Sequence, residues 1–243
     1  MAVSDRFTQQ NRLISLASPL GKDKLLLRSF FGEERMSRLY GFQLGLLSED
    51  NTVDHAKIIG QNVTVRLKLV EDGAERFFNG YVSRFAQTGS DGRFATYTAE
   101  VVPWLWFLTR TTDCRIFQNM TVPAIVEQVF ATFGLSDYEN RLQRAYTPWE
   151  YCVQYRETAC NFVMRLMEQE GIFFFFRHEN GKHVLVIGDA PSVHKPVPGQ
   201  PVVRFRHVAG PGDALDQDYV HDWQPTFEYR PGKWALNEYY FET

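Results

Sequence analysis

The sequence predicts an α+β chain that is rich in β-structure, with antiparallel β-barrels at both ends and an inserted α/β unit between them. Three observations predict this fold class. Short runs that alternate apolar and polar residues occupy most of the chain before Pro103. A helix pattern, an apolar strand and a tight turn follow one another in residues 151–189. Alternating strand patterns then resume after Pro201.

The first part of the chain contains five runs that predict antiparallel strands joined by short turns. They cover residues 25–31, 40–46, 63–69, 76–87 and 94–102. In the third run Thr64 is expected to face solvent, and Gly80 in the fourth predicts a bulge or a corner. Gly41 and Gly45, on the outer face of the second run, indicate a tight bend or the close approach of another backbone. Because closure removes exposed sheet edges, we expect a small barrel over residues 1–103.

Residues 104–190 are predicted to form an α/β unit of two helices and a hairpin. The unit begins with a short buried helical segment at 104–108. Thr121 starts one helix, and Gly134 ends it. Residues 137–148 are predicted as a loop. Thr158 caps the second helix, and Gly171 ends it.

The apolar run at residues 172–176 is too short for a helix and predicts a strand that is buried on both faces. Either it is a core strand, or its second face packs on a neighbouring subunit; membrane insertion is disfavoured because the run is short. Asn180-Gly181 predicts the hairpin turn, because both residues tolerate positive φ, and residues 184–187 form the return strand.

Four prolines, at positions 191, 196, 198 and 201, predict a boundary between the α/β unit and the last part of the chain. Strand patterns then follow at residues 203–206, 219–223 and 226–229. We expect residues 191–243 to be the start of a second barrel that is incomplete in this chain, because a barrel without its remaining strands would expose unpaired edges.

Composition excludes several classes of partner. The net charge is −3 and the charges are interspersed, which gives no basic surface for nucleic acid or an anionic membrane. No run approaches the roughly 20 apolar residues of a membrane span. The N-terminus lacks the apolar segment of a signal peptide, so we expect the chain to be made in the cytosol. The aromatic share of 15% fits either a large aromatic core or an assembling β-rich protein.

A search for catalytic motifs yields no candidate with the required spacing. The chain has no phosphate-binding loop, no dinucleotide-binding glycine motif and no H-E-x-x-H. Cys114, Cys152 and Cys160 are predicted to be free, buried thiols in a reducing compartment, and Cys114 or Cys160 could act as a nucleophile only beside a histidine.

Two further groups of side chains have a chemical and a structural interpretation. His178 and His183 flank one hairpin and could hold a metal with Glu179, but two exposed histidines beside a turn are the favoured interpretation. Glu33-Glu34, or Glu168 with Glu170, could suit glycoside hydrolysis, but solvated surface carboxylates are far more common. We therefore predict no catalytic residue, no cofactor site and no metal site.

One block of residues resembles a known family signature. The residues that carry the resemblance are Arg156-Glu157-Thr158, Asn161-Phe162, Arg165-Leu166, Glu168 and Glu170-Gly171-Ile172-Phe173-Phe174. This block is similar to that of the VgrG family, the spike proteins of the type VI secretion system, whose N-terminal half is similar to the hub of contractile phage tails. The resemblance extends from about Leu25 to the C-terminus. It includes Trp223, Pro225, Pro231-Gly232 and the aromatic tail at 239–241, which resemble the second barrel of the family.

The resemblance implies a structural hub that is not an enzyme. In this family three chains form a ring, each chain contributes two similar barrels, and the six barrels match the sixfold Hcp tube. Further implied partners are baseplate components, and a spike-tip protein and effectors that bind through regions absent here. The family assembles in the cytoplasm and is delivered by the secretion apparatus. The alternatives are the hub or baseplate protein of a contractile phage tail or related injection particle and, as a minor one, a cell-wall hydrolase.

Overall fold

The first part of the chain forms one antiparallel sheet of six strands in the order β1-β4-β5-β6-β3-β2. In this computed structural model, the described residues are 7–69, 73–197, 201–206, 219–220, 222–229, 232–233 and 235. The strands of the sheet are β1 Ile14–Ala17, β2 Leu26–Glu33, β3 Gly41–Ser48, β4 Asn62–Lys68, β5 Glu75–Ser90 and β6 Ala95–Val102. A short 3₁₀ helix, His55–Lys57, precedes β4. All five predicted strands are present, and β1 was not predicted.

The sheet curls into a nearly closed barrel, and the side chain of Gln9 bridges its two end strands. The Gln9 carbonyl accepts hydrogen bonds from the backbone N–H groups of Leu16 (3.0 Å) and Leu27 (2.9 Å). Its amide group donates to the carbonyls of Leu16 (3.2 Å) and Leu25 (3.1 Å). One buried side chain thus satisfies backbone groups on β1 and β2 that a direct strand pair would otherwise satisfy.

Alternating side chains of β3 and β6 fill the barrel interior as their patterns predict. The buried residues include Phe42, Leu44 and Leu46 of β3 and Ala95, Tyr97, Ala99 and Val101 of β6. The strand β5 has register shifts between Val82 and Arg84 and between Gln87 and Gly89, so the bulges lie beyond Gly80. At Gly80 a side chain is excluded instead, because an added Cβ would lie 2.6 Å from Val101 Cγ1 and 2.8 Å from the carbonyl of Val102.

The middle of the chain folds around its own core, which two helices and two small sheets enclose. A 3₁₀ helix, Trp104–Arg110, leads into this α/β unit. The other elements are β7 Thr112–Met120, α1 Val122–Thr132, β8 Tyr138–Asn140, β9 Trp149–Thr158, α2 Ala159–Gln169, β10 Phe173–Glu179 and β11 Lys182–Gly188. The strands β7 and β9 form an antiparallel ribbon, while β10, β11 and β8 form a sheet in which β8 is parallel to β11.

Both helices begin and end where their capping residues predict. The hydroxyl of Thr121 accepts from the N–H of Ala124 (3.3 Å), and that of Thr158 accepts from the N–H of Asn161 (3.1 Å). Gly134 and Gly171 each have a φ of +67°, the left-handed conformation that ends a helix. In the hairpin turn only Gly181 has a positive φ (+84°), whereas Asn180 does not.

Three strands of the α/β unit were missed. The strand β8 lies inside the predicted loop at 137–148, and β7 and β9 were left without an assignment. In β7 only Phe117 is buried, so the polar residues on both sides hide the alternation that would predict a strand.

The apolar run at 172–176 does become a strand, but its two faces differ. Phe174 is buried in the core, while Phe173 and Phe175 are half-buried. These two rings are covered by His194, whose ring centroid lies 5.0 Å from that of Phe173 and 5.4 Å from that of Phe175. The second face is therefore covered by the chain that follows the hairpin.

The last part of the chain departs from the prediction in the residues that the structure describes. After a 3₁₀ turn, Pro191–Val193, the strands β12 (Arg204–Phe205) and β13 (Tyr219–Val220) form a parallel pair rather than an antiparallel one. The predicted strand at 226–229 is wrong, because residues 222–229 have no regular secondary structure. The tail at 239–241 and Pro231 lie outside the described residues.

Neither α-helix is long enough to cross a membrane, and no other helix in the described part of the chain is both long and apolar enough to do so.

Candidate functional site

The two hairpin histidines lie in the junction between the barrel and the α/β unit. His178 and His183 are partners in the register of β10 and β11, with ring centroids 6.1 Å apart. The prediction that both are exposed is wrong: His183 is 2% exposed and the His178 side chain 7%. Their shared face packs against the barrel, where the Tyr40 ring lies 4.9 Å from that of His178. Sequence periodicity did not indicate which face of the hairpin the barrel would cover.

Asn79 of β5 is the centre of the polar contacts at this junction. Its backbone N–H donates to Nδ1 of His178 (3.0 Å), and its side-chain carbonyl accepts from Nδ1 of His183 (2.7 Å). Its backbone carbonyl accepts from the hydroxyl of Tyr40 (2.6 Å). Asn79 is completely buried, so each of these partners replaces a lost water.

The remaining hydrogen bonds of Asn79 explain why Thr64 is buried. The Asn79 amide group donates to Oδ1 of Asn62 (2.7 Å), Oγ1 of Thr64 (2.8 Å) and the carbonyl of Val63 (3.1 Å). The Thr64 hydroxyl also accepts from the N–H of Gly181 in the hairpin turn (3.3 Å). The prediction that Thr64 faces solvent is wrong, because the hairpin covers the outer surface of the barrel at this point.

The hydrogen bonds of His183 require a neutral ring. Its Nε2 accepts from the backbone N–H of Trp104 (2.9 Å), so the ring proton lies on Nδ1. Burial, and secondarily the neighbouring His178, lowers the pKa of His183 to about 3. Because the folded-state pKa is depressed, this ring contributes stability that is complete above about pH 6.5 and is lost as pH falls toward 3.

The histidine pair does not form the metal site that was considered. Glu34, rather than Glu179, contacts His178, with 2.6 Å between Oε1 and Nε2. Glu179 instead pairs with Arg177 (3.0 Å) and Lys182 (3.6 Å). Across residues 7–69, 73–197 and the shorter described stretches, no three His, Cys, Asp or Glu side chains are placed to hold a metal ion.

All three cysteines are free thiols, and two of them are buried. Burial raises the pKa of Cys160 to about 11 and also raises that of Cys152. A raised pKa opposes formation of the thiolate, which is the nucleophilic form. The prediction that all three thiols are buried is wrong for Cys114, which is exposed on β7.

The carboxylates considered for hydrolysis are spread over separate contacts. Glu170 accepts from the indole N–H of Trp149 (3.1 Å), while Glu168 is exposed on α2. Glu33 pairs with Arg35 (2.5 Å), and Glu34 contacts His178. Three of the four carboxylates thus engage structural partners.

Residues of the block that carries the family resemblance form contacts between α2 and β9. Arg165 pairs with Glu157 (2.6 Å) and donates to the carbonyl of Val153 (3.3 Å). Arg156 is the extra residue of a β-bulge, with a φ of +50°, a strained conformation for a residue other than glycine. The Arg165 contacts therefore hold the helix α2 against the strand β9 of the ribbon.

The outer face of the ribbon β7–β9 exposes three large apolar or aromatic side chains. Ile116, Tyr151 and Tyr155 are 60%, 55% and 65% exposed. The guanidinium of Arg156 lies 5.2 Å from the centre of the Tyr155 ring. Tyrosine and arginine are enriched in protein–protein interfaces, so this face is a candidate for assembly contacts. It was missed from the sequence because the ribbon was not predicted.

Comparison with known proteins identifies the family. The family model described as phage tail baseplate hub (GPD) matches residues 33–243. Over 234 residues the chain is 44% identical to the type VI secretion system spike protein VgrG1a of Pseudomonas aeruginosa, covering 96% of this chain and 36% of that protein. The chain spans about a third of the length of such curated relatives.

Two solved structures share the fold. One is the c3393 protein of E. coli, described as a type VI secretion component similar to the T4 tail proteins gp27 and gp5. Its TM-score is 0.64 at 26% identity, and the match covers 73% of this chain and 53% of that one. The other is a tail protein of Neisseria meningitidis, with a TM-score of 0.53 at 15% identity, over 76% of this chain and 52% of that one. This chain belongs to the phage tail baseplate hub family, and its relatives there are VgrG spike proteins of the type VI secretion system.

Proposed function

We propose that this chain is the hub region of a type VI secretion spike. Three copies form a ring whose six barrels adapt the threefold spike to the sixfold Hcp tube. The 44% identity to a spike protein along nearly the whole chain carries this proposal. Six tube subunits dock equally only on six near-equivalent surfaces, which is the physical reason for two similar barrels in each of three chains.

The proposed organisation assigns a separate role to each part of the chain. Residues 1–103 are the first barrel, residues 104–190 are an α/β insertion, and residues 191–243 begin the second barrel. The nearly closed six-stranded sheet supports the first assignment, and the separate core of the α/β unit supports the second. The exposed aromatic face of the ribbon supports a role in assembly.

The proposed partners and location follow from the same family. The spike assembles in the cytoplasm on Hcp and baseplate components, and the apparatus delivers it. A tip protein and effectors bind through regions outside this chain. We propose no catalytic role, and we expect no peptidoglycan turnover by the purified protein, with or without Glu168→Gln and Glu170→Gln.

The mass of the full-length protein in solution tests the hub proposal. Light scattering is expected to give three times the chain mass, and the protein is expected to bind purified Hcp hexamers. A matched sample in which Hcp is replaced by an unrelated hexamer controls for non-specific binding. A compact full-length monomer that does not bind Hcp would refute the proposal.

A second candidate is the hub of a contractile phage tail or related injection particle. The description of the matching family model and the shared fold of the Neisseria tail protein favour it. The two functions differ in the tube that the hub binds. Selective binding to a phage tube protein, with no binding to Hcp, would establish the second candidate.

A further inference from the structure

Several of the polar contacts between the barrel and the α/β unit use groups that change on protonation, beside the packing of Phe176 against both cores. Three hydrogen bonds between the two units use a ring nitrogen of His178 or His183. A fourth, from the N–H of Trp104 to Nε2 of His183, holds the hairpin to the start of the α/β unit. Others are the bond from the N–H of Ser37 to the carbonyl of Phe174 (2.8 Å) and that from Gly181 to Thr64. The histidine junction, defined here as His178, His183, Asn79 and the N–H of Trp104, therefore carries much of the polar contact.

Each histidine has one nitrogen that must remain unprotonated. Nδ1 of His178 faces the backbone N–H of Asn79, and Nε2 of His183 faces the backbone N–H of Trp104. A backbone N–H is always a donor, so each of these ring nitrogens can only accept. A proton added to either ring would place two N–H groups against each other and leave a buried backbone donor without an acceptor.

We infer that the histidine junction is an acid-sensitive joint, which holds the β10–β11 hairpin against the barrel at neutral pH and releases it as pH falls below the ordinary range of histidine. Release lets the ring of His183 take up a proton in water, away from the His178 ring, whose centroid lies 6.1 Å away in the closed junction. The connection through Pro103 and the core of each unit remain, so the change is one of relative position rather than of global unfolding.

One carboxylate contacts the pair of histidines, His178 and His183. Glu34 contacts Nε2 of His178 from the segment after β2. From the barrel strands, the phenols of Tyr40 and Tyr81 face His183, with ring centroids at 5.7 and 5.8 Å. The charges on the hairpin itself are already paired, Arg177 with Glu179 and with Glu139, and Lys182 with Glu179. Glu34 accepts from the Nε2–H of His178 on one side of the ring, and the backbone N–H of Asn79 donates to Nδ1 on the other.

Hydrogen exchange of the full-length protein at pH 7.5 and pH 5.0 tests this inference. After correction for intrinsic rates, the amides of Asn79 and Trp104 are expected to lose protection. The His183 ring has its ordinary pKa of 6.5 in the open state and a pKa of about 3 in the closed state. At pH 5 this difference favours the open state about thirtyfold, so protection against exchange is expected to fall by that factor through His183 alone. The amides of Leu44 and Val65, inside the barrel, are expected to keep their protection.

Glutamine variants provide the control. H178Q and H183Q keep a donor and an acceptor but cannot be protonated, so the pH dependence at Asn79 and Trp104 is expected to disappear in the double variant. His55→Gln, at an exposed histidine, is expected to behave as the wild type. Unchanged protection in the wild type at pH 5.0, or equal loss throughout the barrel, would overturn the inference.

A second measurement applies if the double variant does not fold. Ring ¹⁵N shifts of the wild-type protein at pH 7.5 are expected to show the proton on Nδ1 of His183 and on Nε2 of His178. The opposite tautomers, or a charged ring, would overturn the inference. Because this inference does not rest on trimer formation or Hcp binding, its failure leaves the proposed function untouched.

Discussion

At the scale of single residues, side-chain amides replace backbone partners where two pieces of the fold meet. Gln9 spans the seam between β1 and β2 with four hydrogen bonds, and the side-chain carbonyl of Asn79 accepts from His183 across the junction between the barrel and the hairpin. An amide carries both a donor group and an acceptor, so it can imitate a peptide unit. At the seam this single side chain supplies all four of these bonds.

We predict that Gln9→Ala weakens the barrel. Four hydrogen bonds at about 1 kcal/mol each, offset by water entering the seam, give an expected loss of about 2–4 kcal/mol in the free energy of unfolding. Urea unfolding followed by far-ultraviolet circular dichroism measures the change. The exposed neighbour Gln10 provides the control, since Gln10→Ala is expected to cost under about 0.5 kcal/mol. Equal stability of the two variants would contradict the role of Gln9.

At the scale of elements, the strand glycines differ in their physical reason. Gly80 of β5 lies so close to β6 that a side chain does not fit. A Cβ at Gly45 of β3 would lie 2.3 Å from Oγ of Ser29, a hydroxyl that can rotate away. Gly41, at the start of β3, has open space where a Cβ would lie and no positive φ. Glycine is thus sterically required at Gly80, where a backbone carbonyl is in the way, but not at Gly41.

We predict opposite effects of alanine at two of these glycines. Gly80→Ala is expected to destabilise the barrel by about 2–3 kcal/mol, because the backbone carbonyl of Val102 cannot move aside cheaply. Gly41→Ala is expected to be neutral or to stabilise it by up to about 1 kcal/mol, because alanine restricts the unfolded chain. Thermal unfolding of both variants measures the difference. Destabilisation by Gly41→Ala would contradict the open space that the structure shows at this position.

At the scale of the whole molecule, two cores are joined at the hairpin. Phe176 packs against both of them, and the buried apolar residues of the described chain lie between Leu16 and Val193. Beyond that point Trp223, Phe227 and Tyr229 are 75%, 92% and 103% exposed. The barrel and the α/β unit therefore hold each other without the last part of the chain.

We predict that a chain ending at Val197 unfolds cooperatively within about 2 °C of the 243-residue chain. A chain ending at Gly188 is expected to be less stable, because it lacks Val193, which is buried, and His194, which covers Phe173 and Phe175. Circular dichroism during heating measures both. A large loss in the longer fragment would show that residues 198–243 support the cores.

Local patterns were sufficient for much of the fold. The caps Thr121 and Thr158 and the stops Gly134 and Gly171 predicted both helices, because a helix end satisfies its hydrogen bonds within a few residues. The alternation in β3 and β6 predicted barrel strands for the same local reason. The ribbon β7–β9 was not predictable in this way, since its only buried positions are Phe117, Cys152 and Gln154.

The sequence by itself determined the class of fold, the helix boundaries, most barrel strands and, through the block around Thr158, the family. Only the tertiary structure decided that Gln9 closes the barrel, that Thr64 and the two hairpin histidines are buried, and that the ribbon presents its aromatic face outward. The physical reason is the range of the interactions. Periodicity and capping act within a few residues, whereas each of these features depends on a surface supplied by a distant part of the chain, up to 144 residues away between Glu34 and His178.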